Sequence, residues 1–362
     1  MSDIHITLER IEEILPHPNA DRLEIAKILG TYTVVAKGQW SAGDLCVFFP
    51  PDIMIPEDVA ERLGVAAYLK DAQWGDVRRK CRVAACRLRG IPSYGFIAKT
   101  DEGMDLSAVG ASFDNYYGAA KYEPPARVQH VAQGIQAYDP PNFPKYTEIQ
   151  HYYRNTWCFP QGLPVRVTEK IHGTNCRVGF IKMSDQFEFV CGSHRLARKQ
   201  FDTLGRESVY WTPLTNPRLK SMILCLHNGI NDVVVYGEIF GPGVQDMTYG
   251  VPAGQFGFRL FDISLNGRYM DWELVDSFSW DHGVMAVPML YRGPFDAALV
   301  EGWTNGPTVV CGGENTSKFK GREGCVITPL SETYDHRIGR VVAKSVSADY
   351  LARKGAMDEG EM

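Results

Sequence analysis

A lysine closing an apolar strand, with a glycine three residues later, is the layout of an amine that attacks the α-phosphate of a nucleotide. The run Thr168-Glu169-Lys170-Ile171-His172-Gly173-Thr174-Asn175 has that layout. An amine attacks only when neutral, so nearby cations or desolvation must help it shed its proton. A divalent ion at the phosphate does this and also offsets the charge of the transition state. Such an ion, magnesium or manganese, needs oxygen ligands. Two carboxylates are suited to that task. Glu238 lies within Val235-Tyr236-Gly237-Glu238-Ile239-Phe240-Gly241, and Glu323 precedes the apolar run Gly324-Cys325-Val326-Ile327. A carboxylate in so apolar a strand is costly without a partner, which favours a functional site over a structural ion pair. Further along, Arg340 and Lys344 are cations at the end of a strand, suited to neutralising phosphates. Arg195 follows Ser193 and His194 at another strand mouth. Phe261 can stack on a purine, with Phe256 and Phe258 as competing rings, and Glu169 can accept a hydrogen bond from an exocyclic amine. Strict alternation puts Phe261 on the face of Arg259 and Ile263, with Phe258 opposite.

These residues need strands to hold them. Residues 165–170, 233–240, 256–264, 324–328 and 338–344 read as strands of one larger unit, and a further strand over 187–190 leads to Ser193. A helix is predicted after Asn216, which can cap it, with Pro217 in its first turn. Leu219, Met222, Ile223 and Leu226 form its buried face, and Gly229 ends it. Further helices are expected from Asp271 and from Pro294. Ahead of this unit, short alternating runs over 23–28, 32–35, 45–49 and 81–84, punctuated by glycine and proline, read as a small antiparallel barrel with a helix at 57–63. Between the two, the proline pairs at 124–125 and 140–141 mark a connector. Its many tyrosines suit it to packing on a surface. The expected boundaries are 1–102 for the barrel, 103–162 for the connector, 163–350 for the larger unit and 351–362 for a tail.

Composition sets broad limits. The 362 residues allow about two domains, and 44% hydrophobic with 22% charged content is that of an ordinary globular chain. No apolar run is long enough to span a bilayer and no secretory leader opens the sequence, so a cytoplasmic or nuclear location is expected. The 9 cysteines are scattered, with no Cys-x-x-Cys pair, which points to reduced thiols and against a zinc site. A net charge of -5 argues against indiscriminate polyanion binding, while leaving room for a local basic groove.

Taken in order, Lys170, Glu238, Phe261-Asp262, Glu323 and Lys344 resemble the successive motifs of the covalent nucleotidyltransferase superfamily of ATP-dependent ligases and capping enzymes. Lys170-Ile171-His172-Gly173-Thr174-Asn175 is similar to the lysine motif of RNA ligases of the ligase 2 type. The resemblance spans about residues 163–350. It implies that Lys170, His172 and Lys344 are catalytic, His172 serving lysine adenylylation. It further implies that Glu169, Asn175, Arg195, Glu238, Phe261, Glu323, Arg340 and Lys344 bind the nucleotide, and that Glu238 and Glu323 hold the metal. One position departs from the pattern. The last motif usually carries two lysines one residue apart, and Val342 stands where the first would be, with Arg340 as its possible substitute.

The first unit has its own resemblance. His17-Pro18-Asn19-Ala20-Asp21-Arg22-Leu23 and Leu88-Arg89-Gly90-Ile91-Pro92-Ser93-Tyr94-Gly95-Phe96 resemble the tRNA-binding OB modules of synthetases. The fold class implied is α+β: an N-terminal OB-like barrel followed by a nucleotidyltransferase domain of antiparallel sheets with flanking helices. DNA ligases and capping enzymes carry an OB domain after the last motif, and ligase 2 proteins carry a helical one, whereas this chain has only residues 345–362 there. Its domain order is similar to the smaller RNA ligase 5 family, which seals 3′-hydroxyl and 5′-phosphate RNA ends with ATP and favours manganese. The implied cofactors are ATP with Mn2+ or Mg2+, and the implied partner is RNA, as a nicked duplex, bound by a monomer. A DNA ligase, a capping guanylyltransferase and a non-catalytic RNA-binding protein on a ligase scaffold are the rival readings.

Overall fold

A computed structural model describes residues 4–122, 134–310 and 319–353. The chain divides into two compact units, residues 1–126 together with 346–362, and residues 127–345. The span 103–162, expected as a connector, is therefore shared between them, and residues 346–350 fall with the first unit.

In the first unit the strand Leu45–Phe49 is the central element. It pairs antiparallel with Thr7–Arg10 on one side and Phe96–Ala98 on the other. Because side chains alternate across a strand, it serves two cores. Val47 and Phe49 pack with Ile6, Ile53, Ile55 and Val59, while Cys46 and Phe48 pack with Ile11, Ala26, Ile28 and Trp40. The meander Glu13–Pro16, Leu23–Ile28 and Thr31–Ala36 adds a second sheet. The helix Glu57–Arg62 lies where it was expected. The two sequence stretches that resemble tRNA-binding modules meet here. His17 Nε2 lies 3.2 Å from the Leu88 carbonyl, Asn19 N–H donates to His17 Nδ1 at 3.1 Å, and Asn19 Nδ2 donates to the Arg89 carbonyl at 3.0 Å. Their polar side chains thus build a turn. The short helix Ala348–Leu351 also belongs to this unit, with Arg87 donating to Asp349 at 2.7 Å and Tyr350 buried.

The second unit is built on two sheets. A six-stranded antiparallel sheet runs in the order Ala197–Arg198, Gln186–Ser193, Thr174–Met183, Val233–Phe240, Gly257–Leu265, Arg268–Tyr269. A five-stranded sheet runs in the order Gln150–His151, Ala343–Val346, Gly324–Pro329, Pro164–Lys170, Met289–Pro294. The helix Pro217–His227 starts as the sequence predicts: Asn216 caps it by accepting from Arg218 N–H at 3.0 Å, and the four named apolar residues are buried. Its end differs, because Asn228 takes the left-handed conformation (φ 43°) one residue before Gly229. Together with the helix Trp272–His282 it covers one face of the six-stranded sheet, burying Cys176, Val178, Val233, Val235, Leu260 and Ile263. No helix starts at Pro294. That residue ends a strand, and the helical turn begins after Asp296, whose side chain caps Ala298 N–H at 3.0 Å. The strand predicted over 338–344 is broken into Gly339–Arg340 and Ala343–Val346. Among the described residues, no helix is long and apolar enough to cross a membrane, and all eight described cysteines are free.

Candidate active site

Alternation assigns the faces of the five-stranded sheet. Val165 and Val167 enter the same core as Cys325, Ile327 and Ala343. Arg166, Thr168 and Lys170 therefore project from the other face, and so does Lys344. On the six-stranded sheet, the face away from the helices carries Tyr236 and Phe261, and Glu238 follows Tyr236 two residues on. These two faces meet. Arg166 Nη2 donates across to the Phe261 carbonyl at 3.3 Å, and the charge of Lys170 is felt at Glu238.

Lys170 ends its strand, and its side chain keeps 24% of its surface exposed. Its Nζ donates to Oε1 of Glu323, which is buried at the start of the neighbouring strand, where Lys170 and Gly324 are paired in register. The other oxygen of Glu323 accepts no hydrogen bond among the described residues and lies 3.8 Å from His172 Nδ1. His172 is itself buried, with Nε2 at 2.7 Å from Asp246 Oδ1. Its backbone N–H donates to the Tyr249 hydroxyl at 2.7 Å.

Glu238 sits across the ladder from Asn175. Burial is the largest influence on its carboxyl, outweighing the attraction of Lys170 and reinforced by the repulsion of Glu323, and it pushes the pKa from the usual 4.5 up to about 8. The sign of the stability effect follows. Below about 4.5 the group is neutral in folded and unfolded chains alike. Between that value and about 8 the unfolded chain ionises while the folded one holds its proton, so stability falls as pH rises. Denaturation of the ligand-free wild type is expected to show a loss on the order of a few kcal/mol across this window, and Glu238→Gln is expected to flatten it. A wild-type curve that is flat or rises over that range would contradict the assignment.

The turn after Lys170 is fixed by the absence of a side chain at Gly173. A Cβ there would lie 2.2 Å from the Ile239 carbonyl oxygen and 2.9 Å from Glu238 Cγ. The first contact is with backbone that cannot yield. Gly173→Ala is expected to displace the turn and with it the Lys170 amine, and to slow by up to about a hundredfold any reaction in which that amine takes part, read as a single-turnover rate with fold confirmed by circular dichroism.

The other predicted residues fall in different places. Lys344 lies on the strand flanking the Glu323 strand, two strands from Lys170. Asn175 follows the turn, and its Oδ1 is buried with no hydrogen-bond partner among the described residues. Arg195 is exposed in the turn after Gln186–Ser193. Phe261 is half-buried, edge-on to Tyr146 at 4.8 Å. A bulge opposite Tyr236 and Gly237 inserts Phe261 as an extra residue. Phe261 therefore keeps the face of Arg259 but not of Ile263, which turns into the helix-covered core with Phe258. Glu169 is fully engaged: its oxygens accept from Thr308 Oγ1 at 2.5 Å and from Val309 N–H at 2.7 Å, although burial still raises its pKa. Its carboxylate anchors that segment rather than pointing an unused acceptor at a base.

Arg340 is likewise committed elsewhere. Its side chain is 2% exposed and donates to Asp262 Oδ2 at 2.6 Å, to both oxygens of Glu332 at 2.6 and 2.7 Å, and to the Tyr146 hydroxyl at 3.1 Å. It also lies over the Tyr269 ring at 3.8 Å. Val342 is buried. Sequence reasoning missed Asp246 and Tyr249, which the fold brings to His172 from a loop some seventy residues away (Tyr249 is 77 positions on). It also missed Arg177, fully buried and donating to the Ser193 and Phe143 carbonyls and to Asp139.

Two carboxylates suit a divalent cation. Glu323 Oε2, which accepts no hydrogen bond among the described residues, and the carboxyl of Glu238 are the oxygen ligands available beside Lys170. Among the described residues no group of three or more His, Cys, Asp or Glu is arranged to hold a metal ion.

A strand-end lysine stands between two sheets, with buried Glu323 and half-buried Glu238 beside it. The RNA ligase family model matches residues 163–346, just over half the chain, and the chain belongs to the RNA ligase family. An OB-fold domain model matches residues 5–100. No curated protein matches the sequence. Among solved structures, Naegleria gruberi RNA ligase is similar in fold. A mutant of it with AMP and Mn gives a TM-score of 0.71 at 22% identity, covering 96% of this chain and 98% of that one. The same ligase with PPi gives 0.69 at 23% identity, covering 96% and 98%. A mutant with ATP and Mn gives 0.70 at 22% identity, covering 95% and 97%.

Proposed function

We propose that this protein is an ATP-dependent RNA ligase that joins 3′-hydroxyl and 5′-phosphate ends through a lysyl-AMP intermediate. Lys170 Nζ attacks the α-phosphorus of ATP and pyrophosphate leaves. AMP then passes to an RNA 5′-phosphate, and the 3′-hydroxyl of the second end attacks that phosphate, releasing AMP and forming the phosphodiester. The observation that carries this reading is Lys170 at the strand mouth, held by buried Glu323 and facing Glu238, in a chain of the RNA ligase family.

Glu238 and Glu323 would hold Mn2+ or Mg2+, which supplies positive charge at the phosphate. Support for ATP and manganese comes from the similar Naegleria ligase, whose structures contain both. Lys344, on the same face as Lys170, stabilises phosphate charge, and Phe261 lies against the base. Arg195 and Asn175 are further nucleotide or RNA-end contacts. The OB unit holds the RNA, a nicked duplex, and a monomer suffices, in cytoplasm or nucleus. The test is incubation with α-labelled ATP and manganese without RNA. A protein-AMP adduct that survives denaturation, is stable to alkali and labile to acid as a phosphoramidate is, and maps to Lys170 is expected, and its absence would reject the reading. Comparing nicks with RNA or DNA on the 3′-hydroxyl side then separates RNA from DNA sealing.

A further inference from the structure

Residues 241–256 join the Glu238 strand to the next, and three residues within the first part, 241–250, reach back to the two residues that follow Ile171. Gln245 Nε2 donates to the Gly173 carbonyl at 3.4 Å. Asp246 Oδ1 lies 2.7 Å from His172 Nε2, and the Tyr249 hydroxyl accepts from the His172 backbone N–H at 2.7 Å. The loop is thus fastened to both the ring and the backbone of His172 and to the next peptide.

Tyr249 is an unusual residue to find doing this. It has a φ of +52° and is completely buried, with its ring edge-on to Phe240 at 5.2 Å. A bulky aromatic residue in the left-handed region is uncommon and strained. It persists only where the surroundings over-determine it, and such residues cluster at functional sites. Here the conformation brings the hydroxyl to a backbone donor two residues after Lys170. Asp246 constrains the other half of the problem. A carboxylate on one ring nitrogen sets the orientation of an imidazole and the direction of its second nitrogen. With Nε2 on Asp246, Nδ1 faces Glu323 Oε2 at 3.8 Å, and Glu323 holds Lys170 Nζ through its other oxygen. A continuous series of contacts therefore runs from Asp246 through His172 and Glu323 to the attacking atom.

We propose that the 241–250 loop is a clamp that fixes the nucleophile turn, with Asp246 and Tyr249 as positioning residues for the adenylylation of Lys170. The proposal rests on the ligase reading above and adds two residues outside the motifs that define it. Its specific content is that the clamp serves the first chemical step, in which Lys170 is the nucleophile, and not the last, in which the RNA hydroxyl attacks.

The experiment measures two rates on the intact protein. One is single-turnover formation of protein-AMP at saturating ATP and manganese. The other is sealing of a nicked RNA duplex whose 5′ end is already adenylylated, which bypasses Lys170 as nucleophile. Asp246→Asn keeps the shape of the side chain and removes its charge. It is expected to slow protein-AMP formation by between about tenfold and a hundredfold, the scale of a misplaced reacting group, while sealing of the adenylylated end stays within about twofold. Tyr249→Phe removes one hydroxyl and is expected to act in the same direction with smaller size. Either variant forming protein-AMP at the wild-type rate would overturn its assignment, and so would a fall in both rates by the same factor. If Asp246→Asn does not fold, by thermal melting, Tyr249→Phe alone decides, and equal loss in both steps rejects the clamp. Wild-type protein that forms no adduct at all would reject the ligase reading itself.

Discussion

Replacement of Lys170 by alanine is expected to eliminate the protein-AMP adduct and to lower joining of 5′-phosphate RNA by at least about a thousandfold, since a covalent nucleophile has no substitute in its own step. The structure makes this sharper than a motif alone does. Lys170 has its Nζ on a carboxylate that is almost wholly buried, so it is not one of the solvated lysines that end many strands. Lys170→Arg is expected to be as inactive as alanine, because a guanidinium stays protonated and cannot attack. Both variants are expected to retain sealing of an RNA whose 5′ end is already adenylylated, which places the defect in the first step. An adduct on the alanine variant, traced by mass to another lysine, would defeat the assignment.

The second large effect concerns stability. Arg340→Met is expected to destabilise the protein by about 3–5 kcal/mol, lowering the melting temperature by roughly 10 °C or more. The reason is the company Arg340 keeps. Asp262 is 1% exposed and Glu332 is 16% exposed at the side chain, and both lose their cation at once. Breaking a buried pair by removing one partner costs more than the pair contributes, because the remaining charge has lost its solvent and gained nothing. The surviving folded enzyme is expected to keep its KM for ATP within about twofold. Urea denaturation and adduct kinetics on the same preparation test this. A raised KM with unchanged stability would show instead that Arg340 contacts phosphate, as its place beside Lys344 in sequence suggested.

That contrast shows what a sequence reveals about such a site. Lys170, Glu238 and Glu323, which the fold brings to one place, stood out in the sequence through a lysine followed three residues later by glycine and through carboxylates within or at the start of apolar strands, where an unpaired charge is costly. The helix after Asn216 was legible for the same local reason: cap, proline and apolar spacing lie within a dozen residues. The buried ion pairing of Arg340 gave no signal in the sequence because its partners come from other elements; Asp262 is 78 residues away and Tyr146 194. Phe261 was assigned the right face for an incomplete reason, since the bulge that presents it depends on the neighbouring strand. The ten-residue strand Thr174–Met183 was missed outright. It opens on Thr-Asn and buries Arg177, so its alternation is masked by polar residues whose partners, Asp139 and two carbonyls, are remote. Asp246 and Tyr249 give no local signal at all.

The first unit takes its residues from two separated lengths of chain, 1–126 and 346–362, and this bears on modularity. The strand that carries Lys344 ends at Val346, where membership changes between adjacent residues without any intervening spacer. Cutting the polypeptide after residue 345 therefore does not trim a dispensable end. It removes Tyr350 and Arg353, both buried in the first unit, and Asp349, the partner of Arg87. Deleting the first hundred-odd residues has the mirror-image effect, exposing the apolar side of a segment that has lost its host. Neither part is a cassette that a single breakpoint can detach, so the loss of activity in a simple truncation reports on folding before it reports on RNA.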